Sequence, residues 1–182
     1  MLNPNLDLKT LSEKYQLDDR LRIENIFKQD VAEKLSSALQ TTTFDYIFYA
    51  DGENRVVSES EMSAYSSSQK KSIQANVMKS AGEGVGFLYC GRMMNKQDAK
   101  LDESQAFLRE VYEKLHSTEV INIFRQITGQ NELSGVDGQY TRYTPGQFLT
   151  RHSDNIVKEH RRVAFVFGLS NYWHPDWGGL LQ

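Results

Sequence analysis

The apolar residues change their period along this chain, and that change narrows the fold more than any other feature. Over Val31, Leu35, Ala38 and Leu39, and again over Phe107, Leu108, Val111 and Leu115, they recur at helical spacing, which gathers them on one side of a helix. From about Gln139 the texture turns to strands: QYTRYT, then Pro145-Gly146, then QFLTRHSD and, after a charged stretch, the run RVAFVFGL. Helices gathered first and antiparallel strands afterwards predict an α+β domain, with a helix-buttressed jelly roll as its form.

Local signals fill in the order of elements. Leu21, Ile23 and Phe27 alternate with polar residues, as in a half-buried strand over 21–27. Asp30 then caps a short helix running to about Gln40. FDYIFYA and NRVVS flank Asp51-Gly52-Glu53, and Asp-Gly is a strong hairpin signal because both turn residues must reach positive φ. The segment 60–91 is rich in Ser, Gln, Lys and Gly and carries a weak helical pattern through Ile73, Val77 and Met78. It reads as a helix with loops and as the mobile part of the molecule. Asp102 caps the helix that contains Phe107 and Leu115, and Ser117 opens another through Val120, Ile121, Phe124 and Ile127 that stops at Gly129. Pro145-Gly146 suits a type II turn. The run RVAFVFGL is apolar almost throughout, so it is expected to be a strand buried on both faces.

Size and composition set outer limits. With 182 residues the chain supports one domain, 1–182, divided into a helical and β support region (1–130) and the first part of a jelly-roll core (131–182). A formal net charge of −3 and the lack of a Lys/Arg run give no field that gathers polyanions, so nucleic acid is not an expected partner. The single Cys90 forms no internal disulfide, and the start MLNPNLDLKT lacks a signal-peptide pattern. Both favour a cytoplasmic protein. No membrane span is expected, because no stretch approaches the roughly 18 apolar residues that one needs.

The candidate chemistry sits at His152 and Asp154. Two positions apart on a strand, their side chains leave on the same face and can reach one ion. Imidazole and carboxylate with a third ligand from elsewhere make a facial triad, which leaves open positions for a cosubstrate and oxygen on Fe(II). With 24 acidic residues and four histidines such a pair also arises by chance, and a second one stands at His174-Pro175-Asp176. That second pair lies in YWHPDWGG, whose proline and glycines read as a turn or loop.

What singles out the first pair is its surroundings. RYTPGQFLTRHSDN, then RRVAFVFGLSNYW, then WGGLLQ resembles the prolyl 4-hydroxylase-like family of Fe(II)- and 2-oxoglutarate-dependent oxygenases, over about 140–182. A Tyr, a Gly-bearing turn and a His-X-Asp motif are followed there by an Arg-led hydrophobic strand, a Trp-bearing loop and a Gly-Gly-X-Leu strand. The resemblance implies a distorted double-stranded β-helix with N-terminal helical support. It makes His152 and Asp154 metal ligands and Tyr143 a hydrogen-bond donor to 2-oxoglutarate, the alternative for Tyr143 being a ring packed under the sheet with a wet hydroxyl. No further catalytic residue is assigned. The implied cofactors are Fe(II) and 2-oxoglutarate, with ascorbate in support. The implied activity is hydroxylation of a C–H bond with O₂, the favoured substrate being a prolyl residue of a protein or peptide.

The chain departs from the family in two places. The family's third ligand is a distal histidine followed by a basic residue, several tens of residues after the pair, whereas only His160 and His174 follow Asp154 before Gln182. The chain therefore reads as truncated at its C-terminus within the domain. Gly168 stands where relatives carry a tyrosine.

Two rivals stay open: a non-catalytic jelly-roll binding module, and a zinc or other metal hydrolase using His152, Asp154 and His174. Arg161 and Arg162 are read as a solvated charged edge, His116 and His160 as surface histidines, and Cys90 as a small buried or semi-exposed residue. Trp173 and Trp177 are expected to pack a corner of the roll, the alternative being a substrate entrance. Gly178 and Gly179 mark a bend.

Overall fold

Asp51 and Gly52, at φ +54° and +83°, close a two-residue turn between β1 (Asp45–Ala50) and β2 (Glu53–Ser58), with Ala50 opposite Glu53. This is the expected hairpin, and positive φ at both turn positions matches the right-handed twist of its strands. The computed structural model containing it describes residues 1–96, 100–152 and 160–178. The chain divides into two compact units, one of Met1–Thr41, Leu101–Val136 and Arg162–Gln182, the other of Thr42–Lys100 and Asp137–Arg161. The secondary structure is mixed α and β with an open antiparallel sheet, in keeping with the expected α+β class.

The first unit is helical. Asp7 accepts the Thr10 amide (3.1 Å) and hydroxyl (2.7 Å) to start α1 (Leu8–Asp18), which ends on Asp19 in the left-handed region. Helix α2 (Gln29–Thr41) buries Leu35 and Ala38, and Asp30 stands in its first turn rather than at the cap. Asp102 and Gln105 form a reciprocal capping box for α5 (Glu103–Leu115), while Ser117 caps α6 (Thr118–Thr128), which stops at Gly129 with φ +73°. Each cap satisfies backbone groups that a helix end leaves without an intrahelical partner. α1 packs on α6 and α2 on α5, with Leu108, Val111, Leu115, Val120, Ile121 and Ile127 buried.

Two strand expectations in this unit are corrected. Residues 21–27 form no strand: Phe27 makes one isolated antiparallel bridge to Leu2, and Asn25 at φ +54° interrupts the extended backbone. Nor, among the described residues, do those of RVAFVFGL pair as a strand, and they are not buried on both sides. Val163, Phe165, Phe167 and Leu169 are half-buried and alternate with exposed neighbours, Val166 being 79% exposed. Phe165 and Phe167 instead join a line of rings from Phe124 through to Phe27, with centroids 5.7, 5.0 and 4.7 Å apart. Burying ring area on one side is enough to hold an extended segment without a ladder.

The second unit holds a sheet in the order β2-β1-β3-β4, with β5 also paired to β3. Its helices come from the segment expected to be a helix with loops, and the pattern through Ile73, Val77 and Met78 falls within one of them. α3 (Glu59–Ala64) is capped by Ser58, and α4 (Ser67–Gly82) begins with a Ser66/Gln69 capping box. The same segment supplies β3 (Phe87–Met93), which pairs with β1 on one side and with β4 (Gln139–Arg142) and β5 (Phe148–Leu149) on the other. Phe48, Ala50 and Val57 from the sheet are buried with Met62 of α3 and Val77 of α4, while Tyr46, Leu88 and Phe148 pack against them. Burying a side chain of the size of Phe48 stabilises the fold by about 1.5–3 kcal/mol. At the start of β1, Asp45 is 4% exposed and meets Arg92 at 3.3 Å and Lys96 at 2.7 Å. A carboxylate so removed from water requires such partners. Among the described residues no helix is long and apolar enough to cross a membrane.

Candidate functional site

β4 and β5 both run antiparallel to β3, so they run in the same direction and are one edge strand broken in the middle. Arg142 lies opposite Cys90 and Phe148 opposite Leu88, which leaves residues 143–147 facing the single position Tyr89. The excess chain is absorbed by the Pro145-Gly146 turn. The Gln147 amide donates to the Thr144 carbonyl at 2.9 Å, and Gly146 takes φ +86°. This is the expected type II arrangement: proline presets the first φ, and glycine accepts the positive second one. The Gln147 side chain fastens the excursion at both ends, its Oε1 accepting the Thr144 amide (3.0 Å) and its Nε2 donating to Cys90 Sγ (3.2 Å).

The excursion places Tyr143 against β3. Its ring stacks on Tyr89 with centroids 5.5 Å apart and planes at 26°. No hydrogen bond from the Tyr143 hydroxyl is found among the described residues. Burial, and secondarily the neighbouring Tyr89, push its phenol up to about 12, so it is a protonated donor at neutral pH. The ring is thus packed on the sheet, the arrangement of the second alternative for Tyr143.

Beyond β5 the chain is tied back before it reaches His152. The Thr150 amide donates to the Gly86 carbonyl at 3.0 Å, and the Gly86 amide to Thr150 Oγ1 at 3.2 Å. The Thr150 carbonyl then lies 3.1 Å from His152 Nδ1. A carbonyl only accepts, so Nδ1 carries the proton and Nε2 the lone pair in the neutral ring. That arrangement suits a metal-ligating histidine, whose far nitrogen donates to a backbone or carboxylate oxygen. The ordered strand is shorter than expected, ending at Leu149, with His152 three residues beyond it. Asp154 lies outside the described residues. Among the described residues no three His, Cys, Asp or Glu side chains gather into a metal-binding group. His152 by itself fits the donor chemistry of an iron site.

The second pair has a local occupation. His174 Nδ1 accepts the Asp176 amide at 3.3 Å and caps a short 3₁₀ helix, Pro175–Trp177. Trp173 donates to the Gly178 carbonyl (2.9 Å) and sets its ring edge-on to Trp177 at 5.6 Å, so the two tryptophans pack on each other in an exposed loop. Gly178 turns the chain at φ +78°, and Gly179 lies outside the described residues. His174 belongs to the first unit and His152 to the second.

Arg161 meets Asp137 at 2.9 Å and Arg162 meets Glu132 at 3.2 Å, each within its own unit. His160 is exposed at φ +51°. Cys90 is buried at 1% exposure. His116 is more than a surface histidine: Nδ1 donates to the Tyr112 carbonyl (3.2 Å), and Nε2 accepts the Val136 amide (3.3 Å), pinning the end of the 129–136 loop.

Sequence reasoning missed Tyr89, Thr150, Gln147 and Gly86 because it missed β3. The available signal was the apolar run Phe87-Leu88-Tyr89-Cys90 behind Gly84 and Gly86, a short buried-strand pattern bounded by breakers.

Residues 138–182 match the family described as the 2OG-Fe(II) oxygenase superfamily. The matched segment contains β4, the turn, β5, His152 and Asp154. No curated protein and no solved structure matches the chain. The family match supports a member of that superfamily and a dioxygenase-type enzyme, with Fe(II) and 2-oxoglutarate as the cofactor and cosubstrate that the family uses.

Proposed function

We propose that this chain carries the metal-binding part of a jelly-roll dioxygenase that hydroxylates a C–H bond, with a prolyl residue of a protein or peptide as the favoured substrate. One observation carries the reading. Within the segment that matches the oxygenase superfamily, His152 and Asp154 stand two positions apart, and His152 Nδ1 meets the Thr150 carbonyl at 3.1 Å, the kind of backbone contact that orients a ligating imidazole. His152 and Asp154 would hold the iron, with a distal histidine as third ligand. Fe(II) with 2-oxoglutarate and O₂ supplies the oxidation, in which 2-oxoglutarate becomes succinate and CO₂ and one oxygen atom enters the substrate C–H bond.

The chain's own share is placement. The link between Thr150 and Gly86 fixes the backbone two residues before His152, so the ligand's direction is inherited from the sheet. The Tyr143 hydroxyl, protonated at neutral pH, donates to a carboxylate oxygen of 2-oxoglutarate. Its ring position follows from the turn that Gln147 braces. Ascorbate would serve to keep the iron reduced.

The test is Fe(II) binding and succinate release by the purified protein given 2-oxoglutarate and proline-containing peptides. His152→Ala is expected to abolish both, whereas His174→Ala leaves both in place. Metal retained at full stoichiometry in His152→Ala overturns the assignment. Metal and 2-oxoglutarate binding without succinate from any substrate favours the non-catalytic binding module instead.

A further inference from the structure

We propose that Tyr89 is a positioning residue that holds the Tyr143 ring in place for the cosubstrate, acting through its stacked face rather than through its hydroxyl. The inference rests on the reading of Tyr143 as the donor to 2-oxoglutarate.

Three observations lead to it. First, Tyr89 occupies the one β3 position that faces the whole 143–147 excursion. Among the described residues no ladder partner fixes Tyr143 itself, which stands just past the end of β4. The stacked contact at 5.5 Å and 26° is therefore the restraint that the sheet offers to the ring, and such pairs are worth about 0.5–1.5 kcal/mol beyond their buried area.

Second, Tyr89 is held from below. A Cβ placed on Gly91 would come within 3.0 Å of Tyr89 Cε2 and 3.1 Å of Ile47 Cδ1, so the ring lies over a position that only glycine leaves vacant. Glycine is poorly suited to a strand interior and often marks a close approach, and here that approach is made by the brace. Third, the next ring along supports the same arrangement: Phe87 sits 5.9 Å from Tyr89 and 6.1 Å from Tyr49. Tyr89 is thus packed below by a backbone cradle and beside by a neighbouring ring, with Tyr143 on the remaining side.

A brace of this kind predicts which atoms matter. Removing the Tyr89 hydroxyl leaves the stack intact; removing the ring releases Tyr143. Removing the Tyr143 hydroxyl deletes the donor, after which the brace has nothing left to position.

The experiment is calorimetric titration of 2-oxoglutarate into the full-length protein loaded with Mn(II), a readout that needs no turnover. Tyr143→Phe and Tyr89→Leu are each expected to weaken binding about tenfold, the scale of one hydrogen bond to a charged group. Tyr89→Phe is expected to stay within about twofold of the parent, and Tyr89→Leu to add nothing when Tyr143→Phe is already present. Thermal melting establishes that each variant is folded. If Tyr89→Leu is not, Gly91→Ala, which tilts the Tyr89 ring by a few tenths of an ångström, takes its place with a smaller loss of the same kind. An ultraviolet titration of the metal-free chain reads the brace without cosubstrate: the highest tyrosine ionisation is expected to move down toward the ordinary range in Tyr89→Leu.

Parent-like binding in Tyr89→Leu together with weakened binding in Tyr143→Phe overturns the brace and leaves the donor reading standing. Parent-like binding in Tyr143→Phe overturns the donor reading and the inference with it, whatever the ultraviolet titration shows. Losses that add in the double variant give Tyr89 a role of its own and overturn the positioning role.

Discussion

The two faces of the sheet in the second unit follow the same alternation and end differently. On one face Phe48, Ala50 and Val57 are buried with Met62 and Val77 of the covering helices. On the other, Ile47, Tyr49, Phe87 and Tyr89 are half-buried, while Val56, Tyr143 and Leu149 are 61%, 41% and 38% exposed. A pleated strand sends successive side chains to opposite sides, so residues one apart in sequence serve opposite ends. The helix-covered face carries stability; the accessible aromatic face carries the residues proposed to meet the cosubstrate. Sites are built this way when a rigid layer beneath sets the positions of exposed groups above.

The largest expected effect tests that division directly. Phe48→Ala on the covered face should cost about 3–5 kcal/mol, the usual loss when a buried ring is removed from a core. Val56→Ser on the accessible face should stay within about 0.5 kcal/mol, as most exposed substitutions do. Urea unfolding of both variants measures the contrast, and equal losses would show that the accessible face is also core.

An intermediate effect should come from Gly86→Ala, where both faces depend on one residue. An added Cβ would stand 2.7 Å from the Ala81 Cβ and 2.8 Å from its Cα, and backbone cannot yield as a side-chain tip does. The expected loss is about 1–3 kcal/mol, typical of overpacking. Because Gly86 also holds Thr150, Fe(II) affinity should fall along with stability. Urea midpoint and metal titration on the same variant check the pairing; lower stability with unchanged metal binding would uncouple His152 from the sheet.

The smallest effect is one of pH. The Tyr143 proton is held more tightly in the folded chain, to about 12 against an ordinary 10, chiefly because the phenol is partly withdrawn from water although the residue is 41% exposed. A group raised in this way contributes stability that is complete below its ordinary pKa and is lost as pH rises through the folded value. Stability should therefore decline between pH 10 and 12. Tyr143→Phe should remove part of that slope while leaving stability at pH 7 nearly unchanged. Denaturant midpoints across that range give the measurement, and an unaltered slope would mean that the ring is not withdrawn from water.

Where the signals were local, the chain could be read. The Asp51-Gly52 hairpin, the Asp102 and Ser117 caps, the Gly129 stop and the Pro145-Gly146 turn are each decided by a few neighbouring residues, because φ preference and capping act within one turn of backbone. Leu21, Ile23 and Phe27 show the limit of pattern alone: the alternation is present, yet Asn25 adopts a left-handed conformation and no strand pairs there. RVAFVFGL shows another limit, since an apolar run does not say whether one side of it or both will be covered.

His152 and Tyr143 were named from their residue types and the resemblance of the surrounding motif, which are properties of the chain alone. Tertiary structure decided what holds them. That Tyr89 faces Tyr143, that β4 and β5 share one partner strand, and that Thr150 is tied to Gly86 all depend on pairings between residues more than forty positions apart. Such pairings are selected by the packing of the whole unit, because the entropy of closing a long loop is recovered only when the sheet and its covering helices form together.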